Sequence, residues 1–469
     1  MIPDTPAGFR AAVARSRSLI AVLSAWFTVY GALYTLEHTQ LLTNGFDLSV
    51  FDYALWSTLQ GDPGWVPFFG HSLLAEHFMP TLLILTPLYA LWPSPAALLV
   101  MQLLIVGAAG ALLHHLARRK LPASAALALT VAFLFSRRTH SALEAWFHVE
   151  ALEPLLIFGL VWAVAARRWG WYALLMVLAL GCKEDMPVYL GLFGAYLAMQ
   201  KPLRKAGVAT IVISAAWLVF AFGFAIPQAR AADGLPRANP FLEARFGDPS
   251  APGVSVSVLA RRIFSVSSVV KVVNLTGSVA FLCWAAPGLL VVALPGVAAN
   301  LAGRADSLQA GLIAHYLWPV LPWVFLAAID GCRRLLVRWP QLATCVVVVL
   351  VGITVIDSPL WRVIARRPWR QHQAVRTIRT QLREIPADAG LLCQASLIPH
   401  VPHRAGLQAI GRELESRPAP EYVALSTVGD LWPLDPEASA ALIERLKRDD
   451  RYTLITDGPL FVFRRRSGL

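Results

Sequence analysis

The sequence predicts an all-α polytopic membrane protein of about 11 transmembrane helices, with a small C-terminal α/β extracytoplasmic domain. Three observations predict this. First, 57% of the 469 residues are hydrophobic and only 15% are charged, whereas an ordinary soluble domain is about a quarter charged. Second, charge is segregated. Residues 1–361 carry 41 charged side chains and the much shorter stretch 362–469 carries 29. Third, basic residues cluster between apolar runs, at Arg118-Arg119-Lys120, Arg167-Arg168, Lys201 with Arg204 and Lys205, and Arg333-Arg334 with Arg338. Cytoplasmic loops of membrane proteins carry this bias. The expected division is a transmembrane part over 1–360 and a soluble part over 361–469.

The same pattern excludes other classes. A net charge of +12 held in short inter-span clusters, with no basic stripe interleaved with aromatics, argues against nucleic-acid binding. Five scattered cysteines, with no C-x-x-C and no Cys/His pair at zinc spacing, argue against a disulfide scaffold or a zinc site.

The first apolar run, Leu19 to Leu36, follows Arg10, Arg15 and Arg17. No small-x-small site follows it, so an uncleaved signal-anchor with its N-terminus inside is expected. From Ser18 to Ala117 there is no Lys or Arg, whereas Glu37, Asp47, Asp52, Asp62 and Glu76 all lie there. This places an acidic first outer loop over 37–95. Met79–Trp92 is apolar but too short to span and is broken by prolines, which predicts an interfacial or re-entrant helix. The next span is Ala96–Leu116. Others follow near 122–136, 149–166, 169–182, 187–200 and 206–227. A polar outer loop with a surface helix near Val258–Phe264 fills 228–265. A hairpin over 268–284 and 286–301 comes next, then spans near 315–331 and 340–356. In the tail, Gln371–Ile385 and Pro436–Arg448 read as helices, and Leu391–Ala395 and Tyr422–Leu425 as strands. Tyr452–Thr456 and Leu460–Arg464 flank the turn Asp457-Gly458-Pro459, which reads as a hairpin.

Ionisable groups at membrane depth cost several kcal/mol, so each needs a partner or a role. With this topology most of the isolated ones fall on the outer face: Asp47, Asp52, Glu76-His77, His148 with Glu150, Lys183-Glu184-Asp185, and His315-Tyr316. Each also has a plain structural reading. Asp47 and Asp52 suit solvated loop charges or a helix cap, and His77 suits a bond to a carbonyl near Pro80. Lys183-Glu184-Asp185 suits a self-neutralising cluster, and His315-Tyr316 an interfacial anchor. Their gathering on one face is the stronger signal. Asp47, Asp52, His77, His148 and Glu150 also include metal-ligand chemistry, although no H-E-x-x-H motif occurs.

These residues carry a family resemblance. The markers are Asn44-Gly45-Phe46-Asp47-Leu48-Ser49-Val50-Phe51-Asp52-Tyr53-Ala54-Leu55-Trp56, His77-Phe78-Met79-Pro80 with Pro87-Leu88-Tyr89, Phe147-His148-Val149-Glu150, Lys183-Glu184-Asp185, and Leu294-Pro295 with His315-Tyr316 and Pro319. Over most of its length the chain resembles the bacterial membrane proteins of domain-of-unknown-function family 2079. That family in turn resembles the GT-C class of integral-membrane glycosyltransferases. In that class an Asp in the first outer loop lies beside the reacting centre, and Asp47 matches it by position. The Lys-Pro-Pro of the sugar transferases is replaced here by His77-Phe78-Met79-Pro80.

The resemblance implies transfer of a sugar from a polyprenyl-phosphate donor at the outer face of the bacterial cytoplasmic membrane. Asp47 would be the catalytic base, and Asp52 would orient the acceptor or hold a divalent cation (Mg or Mn). Lys183, with His77 and His315, would meet the leaving phosphate, and Glu184 or Asp185 would hold Lys183. His148, Glu150 and Tyr316 complete the expected substrate-binding set. The rival expectations are a transporter or flippase for a lipid-linked or small polar substrate, and a non-catalytic membrane assembly protein.

Overall fold

The computed structural model describes residues 6–43, 45–239, 256–304, 307–358, 360–361, 372–411 and 419–466. The expected loop 228–265 therefore lies outside the described residues over 240–255, and the expected division near residue 361 over 362–371. Helix α1 runs Pro6–Thr39 and α2 Gly45–Leu59. A two-strand hairpin, β1 (Trp65–Val66) with β2 (His71–Ser72), pairs Trp65 with Ser72. Two short helices follow, α3 (Pro80–Ile84) and α4 (Thr86–Tyr89). Each has a proline in its first turn, where the missing N–H costs nothing. They are the short, non-spanning element expected at Met79–Trp92.

The bundle continues with α5 (Pro95–Arg118), α6 (Ala123–Phe135), α7 (Arg137–Leu143), α8 (Glu153–Ala165), α9 (Trp169–Leu180) and α10 (Met186–Ala198). Helix α11 (Arg204–Phe220) passes through a π-turn at Ala221–Ala225 into α12 (Ile226–Ala232). Then come α13 (Val256–Ile263), α14 (Val266–Gly277), α15 (Pro287–Ala302), α16 (Leu321–Arg338) and α17 (Ala343–Asp357). Among the described residues four helical stretches are long and apolar enough to cross a bilayer: Arg17–Thr39, Pro95–Arg118, Lys201–Ala232 and Pro340–Asp357. Four more apolar helices, α9, α10, α14 and α15, are 12 to 16 residues long. About 11 transmembrane helices were expected, several of them from runs under 18 residues. Several of those runs instead begin with irregular turns, because the polar residues at their entries do not continue the helix. Helix α8 starts at Glu153 rather than 149, and α16 at Leu321 rather than 315.

The core is built on fully buried aromatics such as Trp26, Trp318, Trp323 and Phe325. The indole N–H of Trp26 donates to the carbonyl of Leu134 at 2.8 Å, which meets the need of a buried donor. Helices α10 and α11 touch backbone to backbone where Gly194 faces Gly207. A Cβ on Gly207 would strike the backbone of Ala198 and the Gly194 carbonyl, the close approach that small residues permit in membrane bundles. Gly207→Leu is therefore expected to lower the thermal midpoint in detergent markedly, since overpacking costs about 1–3 kcal/mol or more; an unchanged midpoint would show that this crossing can open freely.

The C-terminal unit has α18 (His372–Arg383), β3 (Leu391–Cys393), β4 (Leu407–Ala409), β5 (Tyr422–Ser426), α19 (Pro436–Arg448), β6 (Tyr452–Thr456) and β7 (Leu460–Arg465). The strand order is β4-β3-β5-β7-β6. β3 runs parallel to β4 and β5, and β7 antiparallel to β5 and β6. Asp435 caps α19 by accepting from the Ala438 N–H at 2.7 Å. This is the expected α/β tail, with β4 as the strand not foreseen.

Candidate active site

A cavity of about 450 Å³ opens beside α2. Seven of the ten expected site residues line it: Asp47, His77, His148, Glu150, Lys183, His315 and Tyr316. Five distant segments bring them there. Helix α2 supplies Asp47, and the link into α3 supplies His77. The turn before α8 supplies His148 and Glu150, the α9–α10 turn supplies Lys183, and the turn before α16 supplies His315 and Tyr316. Irregular backbone at the ends of membrane helices persists where it faces a cavity rather than lipid.

The backbone around the two histidines is strained. Trp146 has φ +63°, and Leu312 and Ala314 have φ +49° and +59°. For residues with a Cβ the left-handed region costs roughly 1–2 kcal/mol each. Such strain concentrates at functional sites. The turns bring the His148 and His315 rings face to face, 3.8 Å between centroids and 16° apart. Phe51 meets His148 edge-on at 5.0 Å, and Tyr316 lies 4.0 Å from His315.

Behind the imidazoles sits a buried ion pair. Lys183 Nζ donates to Glu150 Oε1 at 2.6 Å. Burial alone would push the Glu150 carboxyl up, but the Lys183 ammonium and neighbouring His148 outweigh it and hold it at about 2. Burial would likewise lower Lys183; Glu150, Asp185 and Glu184 instead raise it above the ordinary lysine range. Both groups are therefore ionised. Lys183 also lies 6.0 Å from the Tyr316 ring centroid. For Asp47, burial pushes the carboxyl above its ordinary value; Glu150 adds to this while His148 and Lys183 oppose it.

Two expectations are corrected. Glu184 does not hold Lys183. Its Oε1 meets His77 Nδ1 at 2.7 Å, and its Oε2 accepts the Phe78 N–H at 3.1 Å, so its hydrogen-bonding capacity serves the His77 corner. The partner of Lys183 is Glu150, with Asp185 lining a small well behind it. Asp52 does not line the cavity: it is 1% exposed, accepts from the Tyr89 hydroxyl at 2.5 Å and pairs with His403 Nε2 at 2.7 Å. Among the described residues no group of three or more His, Cys, Asp or Glu could hold a metal ion, and Glu150, Glu184 and Asp52 are committed to Lys183, His77 and His403.

The structure adds residues that were not foreseen. Glu153 is fully buried, lines the small well, and neither carboxylate oxygen has a hydrogen-bond partner. It follows Glu150 by three residues, a spacing that shares a helical face, and this was the available signal. At the rim, Arg230 of α12 reaches Glu76 at 3.4 Å and the Ala75 carbonyl at 3.2 Å. Asp233 accepts the Ser72 N–H at 2.8 Å. These bonds tie α12 to the hairpin that walls the cavity.

The fold is similar to that in the crystal structure of ArnT from Cupriavidus metallidurans bound to undecaprenyl phosphate, a GT-C glycosyltransferase. The TM-score is 0.56 over 95% of this chain and 99% of that one, at 14% sequence identity. Among curated proteins no sequence matches. The model of the predicted membrane proteins termed DUF2079 matches residues 37–459, a span holding every cavity residue named above, and the chain belongs to that family.

Proposed function

We propose that the protein is an integral-membrane glycosyltransferase. It moves a sugar from a polyprenyl-phosphate donor to an acceptor hydroxyl at the outer face of the cytoplasmic membrane. The observation that carries this reading is that one and the same cavity has a carboxylate of raised pKa on one wall and an ionised lysine and stacked imidazoles on the other. The fold likeness to a protein bound to undecaprenyl phosphate supports the choice of donor class.

In the reaction the acceptor oxygen bonds to the anomeric carbon while the bond from that carbon to the phosphate oxygen breaks. The electron pair of the broken bond stays on the polyprenyl phosphate. The acceptor proton passes to Asp47, whose raised pKa makes it a better base than an exposed Asp. The departing phosphate gains charge, and preorganised donors lower the barrier where charge develops. Lys183 Nζ has three N–H donors, only one of which is spent on Glu150, and His315 lines the same wall. Glu150 keeps Lys183 charged and in place. Phe78 meets Trp217 at a tilt and Phe220 edge-on, with ring centroids 5.8 and 5.7 Å apart, and Phe220 and Phe224 are exposed. Phe78 lies in the chain between the cavity residues His77 and Met79, so these rings offer a polyprenyl chain an apolar surface beside the cavity.

The test is transfer from a radiolabelled polyprenyl-phosphate sugar in proteoliposomes. Labelled product, or labelled free sugar with water as acceptor, is expected. No release with any of a panel of sugar donors would remove the transferase reading. A flippase remains the second reading because of Glu153, since an unpartnered buried carboxyl in a membrane protein is a feature of coupled transport. Glu153→Gln is expected to leave transfer within about threefold of wild type, as the group meets neither reacting centre. Loss of transbilayer flux without loss of transfer would favour the flippase.

A further inference from the structure

Helix α2 has two working faces. Asp47, Val50 and Phe51 line the cavity; they are spaced i, i+3 and i+4, which stacks them on one side. Gly45, Asp52 and Trp56 are spaced seven and four apart and fall on the opposite side. That second face packs on the C-terminal unit, with Tyr89 of α4 as a further partner from the bundle. A Cβ on Gly45 would collide with the carbonyl of Ala395, so the start of α2 lies flush on the backbone of that segment. One and a half to two turns on, His403 pairs with Asp52 at 2.7 Å. The His403 ring stacks on Trp56 at 5.3 Å and 9°, and meets the edge of Tyr53 at 5.2 Å. Tyr89 takes the other Asp52 oxygen. Trp432, from the same unit, packs edge-on to Phe46 at 5.1 Å, next to Asp47 in the chain. At the end of α1, His38 and His400 lie 4.6 Å apart.

We infer that the C-terminal unit sets the position of Asp47, with His403 acting as a positioning residue through Asp52 and the Gly45–Ala395 contact fixing the start of the helix. The inference rests on the reading of Asp47 as base. Asp52 is nearly inaccessible and touches no part of the cavity, so its two strong bonds have no direct use in binding. They immobilise the helix that carries Asp47. A shift of α2 on its outer face is carried rigidly to its inner face one helix diameter away, and misplacing a reacting group by about 1 Å can cost 10²-fold in rate.

The test compares full-length wild type with His403→Ala and His403→Gln. The glutamine amide retains a donor for Asp52. Two readouts are taken: hydrogen exchange over residues 45–51, and transfer kinetics with a polyprenyl-phosphate sugar. His403→Ala is expected to raise exchange at 45–51 and to lower kcat about tenfold or more, with KM for the donor within about twofold. His403→Gln should recover most of both. Wild-type exchange over 45–51 in His403→Ala, or a wild-type kcat despite faster exchange, would overturn the inference. An inactive wild type would instead overturn the transferase reading, and the exchange measurement would still decide whether His403 holds α2.

Discussion

Asp47→Asn is expected to reduce sugar transfer by about 10²-fold or more, with expression, elution volume and thermal midpoint unchanged. Asparagine keeps the shape and hydrogen-bonding reach of the side chain but cannot take a proton. Asp47 lies on the cavity face of α2, where Glu150, His148 and Lys183 also line the cavity, and is not part of the buried clamp on the other face. Its loss should therefore leave the packing intact. The pH profile gives an independent check. Because burial raises the Asp47 pKa, the base is lost by protonation as pH falls through a value above that of an ordinary Asp. The acid limb of kcat should sit at that raised value and vanish from whatever residual rate Asp47→Asn retains. Near-wild-type turnover in this variant would remove Asp47 from the mechanism.

The second large effect is on stability. Lys183→Met should leave the Glu150 carboxylate buried and unpaired, and removing one partner of a buried pair costs about 3–5 kcal/mol. The thermal midpoint in detergent should fall sharply. Combining Lys183→Met with Glu150→Gln should restore most of that stability but no transfer, because the donor to the leaving phosphate is still missing. This double variant separates the structural role of the pair from its chemical role. The pair also predicts a pH window. The folded-state pKa of Glu150 is depressed to about 2, so its contribution is complete above the unfolded value near 4.5 and is lost as pH falls towards 2. The folded-state pKa of Lys183 is raised, so its contribution is complete below the unfolded value near 10.5 and is lost above that. A midpoint unchanged by Lys183→Met would mean that Glu150 reaches water or another cation.

Much of this was legible in the chain because the physical signals were local. The lack of Lys and Arg between Ser18 and Ala117 marked the segment that carries α2 and the cavity rim. The Asp457-Gly458-Pro459 turn marked the β6–β7 hairpin, whose strands lie within a residue of expectation. Isolated ionisable residues at span ends marked the cavity, because a membrane protein retains them only where a partner or a substrate compensates.

What the chain could not show was pairing across distance. Asp52 and His403 are 351 residues apart. A single histidine in a Pro-His-Arg stretch carries no periodicity or motif, so Asp52 read as a second cavity acid when it is the anchor of α2. Lys183 read as the partner of its chain neighbours. Consecutive residues in a turn point in different directions, and Lys183 goes to Glu150 while Glu184 goes to His77. Strand β4 is three residues long and half-buried, too short for alternation to register. The helix ends were misplaced for a related reason: hydropathy reports where apolar residues lie, and His148, Glu150 and His315 occupy turns set by the site.

The most direct measurement of the central claim is native mass spectrometry of the full-length protein, released from detergent after titration with undecaprenyl phosphate. A saturable adduct at this cavity, held by its lysine, is predicted in wild type and in Asp47→Asn. The same adduct should be weakened by about tenfold or more in the doubly substituted Lys183→Met, Glu150→Gln protein, where a charge-assisted contact to phosphate is gone. Equal adduct intensity in all three proteins, or none in wild type at saturating lipid, would contradict the claim that this cavity receives a polyprenyl phosphate.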